Sequence, residues 1–220
     1  MDHKERAAGN LELIGGRLCL DFANTVSTRS QQPRREYLAS YTDLVEWSQH
    51  AGLLSQAEAD AMLQGAAHHP ELAAASLEQA IALRETVYRI FAALAASQAP
   101  QAADLAAINH TLHIALSHLE VFPCEDGFAW GWAAHPGDLE HMLWPIARSA
   151  ADLLTSSERS QVSRCARAGC DWLFVDSSKN HTRRWCSMSA CGSRVKMQRY
   201  YRRRKEGHSH TTTQAHGTLL

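Results

Sequence analysis

The 220-residue chain has no apolar run near the ~20 residues that cross a bilayer. Its opening stretch, MDHKERAAGN, leads into no apolar signal segment. No membrane partner is expected, and a cytoplasmic location is. No Gly-rich phosphate loop follows a strand, no G-x-S-x-G elbow occurs, and no internal repeat is found. These absences exclude the commonest nucleotide-binding, hydrolase and solenoid designs. Apolar residues make up 45 % and charged residues 20 %, which excludes a disordered, collagen-like or coiled-coil chain. The last 14 residues carry no Lys, Arg, Asp or Glu, and residues 207–220 read as a disordered tail.

Net charge is nearly absent, at -1, but it is unevenly divided. Residues 1–158 hold 9 Lys+Arg against 20 Asp+Glu, a balance of -11, whereas residues 159–206 hold 13 against 3, a balance of +10. A short basic block on an acidic chain points to a polyanionic partner for that block. The contrast also raises the expectation that the acidic part masks the basic one.

Six cysteines are present, and four fall in the basic block as Cys165-x4-Cys170 and Cys186-x4-Cys191. Two pairs of equal spacing, without an export signal, point to metal rather than disulfides. Four thiolates suit tetrahedral zinc and leave no open coordination position, so one structural zinc ion is expected. A segment this short needs such a staple. Replacing Cys186 is expected to unfold the finger without unfolding residues 1–155. Cys19 and Cys124, among apolar residues, read as buried free thiols.

Residues 171–176 read as a strand, Ser177 to Asn180 as a turn, and Arg183-Arg184-Trp185 as a returning strand. A helix follows from Ser193, whose hydroxyl is placed to cap it. On a helical wheel Met197, Tyr200 and Tyr201 share a side expected to pack on the zinc hairpin. Lys196, Arg199, Arg202 and Arg203 cluster nearly opposite, with Val195 as a misfit. Such a basic helix fits a DNA major groove. Arg183, Arg184 and Arg194 are expected to support the contact.

The stretch Cys165-x4-Cys170, Leu173-Phe174, Asp176, Arg183-Arg184-Trp185-Cys186-Ser187-Met188 and Cys191-Gly192-Ser193-Arg194-x-Lys196 resembles the CGNR zinc finger. The resemblance implies zinc on the four cysteines and contact with DNA. Ser193 stands where the motif that names the family has Asn.

The N-terminal 158 residues read as an α+β domain, mainly helical with a small antiparallel sheet. Leu11 to Ile14 and Arg17 to Ala23, joined by Gly15-Gly16, read as a β-hairpin. Ser40-x-x-Asp43 and Ser55-x-x-Glu58 mark helix starts. Two long helices follow, marked by Leu77 to Leu94 and by Leu105 to Leu119. Asp126-Gly127 centres a second hairpin, with Phe128, Trp130 and Trp132 on one face, expected to pack in the core. A last helix spans 138–156, kinked at Pro145. Gly15-Gly16-x-Leu18-x-Leu20-Asp21-Phe22-x-Asn24-Thr25 and Ser40-Tyr41-x-Asp43-Leu44 resemble the ABATE domain, the usual N-terminal partner of the CGNR finger. That resemblance implies a stress-induced transcription regulator.

Asp21 and Asn24 could flank a small-effector pocket, although capping of local backbone is the expected role. The resulting expectation is a DNA-binding regulator, 1–158 being a sensing or dimerisation domain and 159–206 the finger. A homodimer and a small-molecule effector are possible partners beside duplex DNA. The rival readings are an RNA- or protein-binding zinc module using Trp185, Tyr200 and Tyr201, and a metal-dependent nuclease using Asn180-His181.

Overall fold

A computed structural model of the protein describes residues 7–135 and 137–209. Seven helices and two two-stranded antiparallel sheets make up the described chain, confirming a mainly helical α+β fold with a small four-cysteine module. Helices α1 (Leu18–Ala23), α2 (Tyr41–His50), α3 (Gln56–His68), α4 (Pro70–Ala95) and α5 (Ala102–Ser117) come first. The hairpin β1 (Leu119–Cys124) and β2 (Gly127–Trp132) follows, then α6 (Leu143–Thr155). The C-terminal module contributes β3 (Val162–Arg164), β4 (Leu173–Val175) and α7 (Ser193–Ser209).

Local chemistry sets several of these boundaries. Ser40 and Ser55 each form a reciprocal capping box, with Asp43 and Glu58 respectively, as the sequence predicts. Pro145 lies in the first turn of α6, where its missing N–H costs no intrahelical bond. The helix therefore starts at Leu143 instead of kinking within a longer one.

The expected N-terminal hairpin does not form. Leu11–Ile14 is irregular, and Leu18–Ala23 is helix α1. Cys19, Leu20, Phe22 and Ala23 are all fully buried, so the apparent alternation belongs to a short helix surrounded by core. Gly15-Gly16 serves close approach rather than a hairpin turn. A Cβ on Gly15 would lie 2.8 Å from the Asp21 nitrogen, and Gly16 has φ +78° with its Cβ direction against Val175. The Gly15 carbonyl accepts the Val175 N–H at 2.8 Å.

The hairpin at Asp126-Gly127 forms in the expected register, with Val121 opposite Trp130 and Pro123 opposite Phe128. It does not enter the core. Only its base packs inward, where Trp132 meets Trp144 of α6 with ring centroids 6.1 Å apart. Phe128 and Trp130 are exposed. Cys124 at the end of β1 is exposed too, contrary to expectation, while Cys19 is buried. Burial pushes the Cys19 thiol up to about 12, which keeps it protonated and inert.

One contiguous core joins the helices to the C-terminal module, including Leu173, Phe174 and all four cysteines of the basic block. Beside it, fully buried Arg84 on α4 donates to Glu36 at 2.8 Å and to Glu85 at 2.9 Å. Glu85 also pairs with Arg29, whose guanidinium lies 3.7 Å over the Tyr88 ring. Burial opposes ionisation of Glu36 and Glu85, but their arginine partners outweigh it and hold both carboxyls below the ordinary value.

Asp21 behaves oppositely. Burial raises its carboxyl to about 6, against a partial offset from the Gly15 and Ile14 N–H groups. Folding thus takes up a proton at Asp21 between pH ~4 and ~6, and this residue's stabilising protonation is lost as pH rises through about 6. Asp21→Asn is expected to remove that slope. Chemical denaturation from pH 4 to 7 should show wild type losing up to about 2–3 kcal/mol relative to the variant; parallel profiles would refute the assignment.

Candidate metal centre and nucleic-acid interface

Strands β3 and β4 pair antiparallel, Val162 opposite Val175, so the chain between them turns back through Cys165 and Cys170. The Cys165 N–H donates to the Trp172 carbonyl at 2.9 Å and sets the mouth of this first knuckle. The predicted returning strand at 183–185 is absent. This segment is held instead by the Ala166 N–H donating to the Arg184 carbonyl at 2.8 Å. The partner of β4 is thus the upstream strand, which the Cys–Cys intervals alone did not reveal.

The second knuckle leads through a π-type turn, Met188–Gly192, into α7. Ser187 caps this turn by accepting the Ala190 N–H at 3.2 Å. Ser193 takes a different part from the expected one, donating its hydroxyl to the Met188 carbonyl at 3.1 Å. Gly192 leaves room where a Cβ would lie 2.4 Å from the Met188 sulfur.

Cys165, Cys170, Cys186 and Cys191 are buried, with their sulfurs all within 4.8 Å of one another. Cys170 to Cys186, Cys186 to Cys191 and Cys191 to Cys170 measure 3.7, 3.5 and 3.7 Å. A tetrahedron with ~2.3 Å zinc–sulfur bonds has edges of about 3.8 Å. The cluster fits one structural zinc ion closely and is far from disulfide geometry.

The zinc neighbourhood includes two arginines with internal partners. Arg167, which sequence reading did not single out, donates from Nε to the Cys191 sulfur at 3.1 Å. Arg183 donates to the carbonyls of Trp185 and Cys186 and lies 4.2 Å over the Phe174 ring. Its guanidinium is therefore engaged in the finger's own scaffold. Arg184 is exposed beside Trp185. Arg194, Lys196, Arg199, Arg202 and Arg203 are all exposed on α7. Met197, Tyr200 and Tyr201 are exposed as well, so the expected packing of that stripe on the zinc hairpin does not occur. Val195, the misfit on the wheel, is instead the partly buried residue of the first turn. Beyond that turn α7 leaves the body. It reaches Ser209, and the rest of the expected tail lies outside the described residues.

Neither Asp21 nor Asn24 lines the cleft between the helical domain and the finger. Asp21 accepts the Gly15 N–H at 2.7 Å. Buried Asn24 reaches across the chain: its amide donates to the Leu173 carbonyl and accepts the Leu173 N–H, both at 2.8 Å. The contact is long-range, not the local cap expected. Asp171 adds to this docking by accepting from the Thr28 hydroxyl and the Arg29 and Ser30 N–H groups at 2.7–2.9 Å. Burial opposes its ionisation, but these donors hold it below the ordinary value. Trp172 donates from Nε1 to the Val26 carbonyl at 2.8 Å. A cleft of about 730 Å³ lies between the two parts, bordered by Arg35 and Tyr37 on one side and Arg167 and Arg194 on the other.

His181 offers no second metal site. Its Nδ1 is 2.8 Å from the Asp176 carbonyl, and the four cysteines form the only such ligand group among the described residues. No helix among them is long and apolar enough to cross a membrane.

The fold and site define a helical domain with a structural four-cysteine zinc finger docked on its core. The chain matches, over residues 16–157, the ABATE family, described as "putative stress-induced transcription regulator". It belongs to that family, and residues 161–204 match the CGNR zinc finger. Both families are of regulator or zinc-finger type rather than enzymes. No curated protein matches the chain.

Two substitutions test this geometry. Arg167→Ala removes the cation that offsets thiolate charge, so zinc should pass to a competing chelator about ten-fold more readily, as for other outer-shell partners. Arg167→Lys should restore part of the loss, and the thiolate-to-metal band of the cobalt-substituted protein should shift in the Ala variant. Unchanged metal affinity would exclude this role. Asn24→Ala orphans two buried groups of Leu173 and should cost about 2–4 kcal/mol in denaturant unfolding; a loss under about 0.5 kcal/mol would show that the bridge is dispensable.

Proposed function

We propose that the protein is a DNA-binding transcription regulator whose zinc finger presents the basic side of α7 to duplex DNA. The observation that carries this reading is the exposure of Lys196, Arg199, Arg202 and Arg203 on a helix that leaves the body after one turn. A helix so placed has the diameter and charge for a major groove, and zinc fixes its root. Arg184 and Arg194 lie where they would reach flanking phosphates, while Arg183 acts as a scaffold for the second knuckle. The N-terminal domain would sense a small molecule or pair two copies. The cleft between Arg35 and Arg194 is where an effector would touch both parts at once. A cytoplasmic site of action belongs to the same reading.

Anisotropy of the zinc-loaded chain with random duplex DNA, across a salt series, tests it. Four phosphate contacts give a slope near -3.6 in log affinity against log salt, from ~0.9 per contact. Arg199→Ala with Arg202→Ala should reduce the slope by about 2. Absence of binding at low salt refutes the DNA reading. Preferred binding of single-stranded RNA would favour base stacking on Trp185, Tyr200 and Tyr201 instead.

A further inference from the structure

Among the described residues two elements expose aromatic surface, and the charges at their ends are opposite. On the β1–β2 hairpin Phe128 is 79 % and Trp130 64 % exposed, with Val121 at 54 % beside Trp130. The tip of the hairpin carries Glu125 and Asp126, while Glu120 alternates onto the other face. Trp130 also borders Arg17 and Arg148, whose charges are met by Glu158 and Asp152. On α7, Met197 and Tyr200 are each 59 % and Tyr201 56 % exposed, and the two tyrosine rings meet edge to face at 5.7 Å. At ~100° per residue Arg194 and Arg204 fall within or beside that aromatic sector.

We propose that the hairpin of one copy docks on the Met197–Tyr200–Tyr201 side of α7 in a second copy. An isolated two-stranded hairpin is marginal in water, and this one is supported only at its base by Trp144. A covering partner supplies what it lacks. Hairpin-to-hairpin pairing would bring the four tip carboxylates of Glu125 and Asp126 together, and α7-to-α7 pairing would stack basic residues; only the crossed pairing matches sign with sign. Made reciprocally about a two-fold axis, hairpin on α7 and α7 on hairpin, the two contacts form one closed isologous dimer. Eight partly exposed rings in two such contacts offer on the order of 1,000 Å². That is just below the ~1,200 Å² of standard specific interfaces, so the pair is a weak, micromolar one. The opposite side of α7, centred on Arg199 and Arg202 with Arg203 beside them, stays uncovered, which gives a paired protein two basic surfaces.

The test uses the zinc-loaded full chain without DNA, so its outcome is independent of the DNA reading. Sedimentation of wild type should show a mass rising from 24.4 kDa towards twice that value near 100 µM, and falling back in ~0.5 M salt. The variants Phe128→Ala/Trp130→Ala and Tyr200→Ala/Tyr201→Ala change exposed residues, so each should keep a folded melting transition and be monomeric. The hairpin variant, labelled with ¹⁵N, is then titrated with the unlabelled α7 variant, which still has an intact hairpin. Amide shifts confined to residues 194–204 of the labelled chain are expected. A wild type that stays monomeric, a dimer that survives either variant, or a titration without shifts in α7 overturns the proposal.

Discussion

The structure depends on how strand β4 satisfies its two edges. One edge pairs with β3. The other faces the helical domain, where water cannot serve it, and an unmet buried peptide group costs about 1–3 kcal/mol. Asn24 supplies the answer for Leu173, because a side-chain amide both donates and accepts as a peptide does. Gly15 meets the Val175 N–H by accepting it with its own carbonyl. These contacts make β4 a strand of the zinc finger and a core element of the helical domain at once.

Coupling follows from that double membership. Phe174 and Leu173 are fully buried in the core that also holds Leu20, Phe22 and Ile90. Zinc holds the knuckle from which β4 emerges, so metal free energy of the order of 10–16 kcal/mol acts on a strand shared with the helices. This argues against a finger that unfolds alone when Cys186 is lost. The finger's position is fixed by buried contacts on Asn24, Asp171 and Trp172 rather than by a tether.

How much of this could be read from the sequence varied with the range of the interaction. The capping boxes at Ser40 and Ser55, the Asp126-Gly127 turn and the cysteine pairs are local patterns, and each formed as expected. Helix α1 was misread because burial of four of its six residues erases the polar phase that separates periods of 2 and 3.6. Gly15-Gly16 was misread because a glycine pair signals a turn and a close approach equally. The pairing of β4 with β3 and the span from Asn24 to Leu173 have no local signature at all. The same holds for Arg84, a fully buried cation within an apolar helical run, whose partner Glu36 lies 48 residues away. At the zinc site the ligands were legible from spacing, but Arg167 was not: one arginine among many in a basic block carries no mark of the thiolate it serves.

That last point changes the meaning of the charge arithmetic. A balance of +10 treats the cations of residues 159–206 as equivalent. Arg167 lies against a thiolate, and Arg183 against carbonyls and the face of Phe174. Those two stabilise the finger itself and contribute little outward field, since a four-thiolate zinc site carries two net negative charges that need an internal counterpart. The cations of α7 are set beyond that centre, on a helix whose apolar residues are also turned outward. The knuckles use arginine to hold a metal site together, and the helix uses it to present charge. Zinc links the two uses by fixing the root of the helix at Cys191, so the outward charge has a defined position only while the inward charge is balanced.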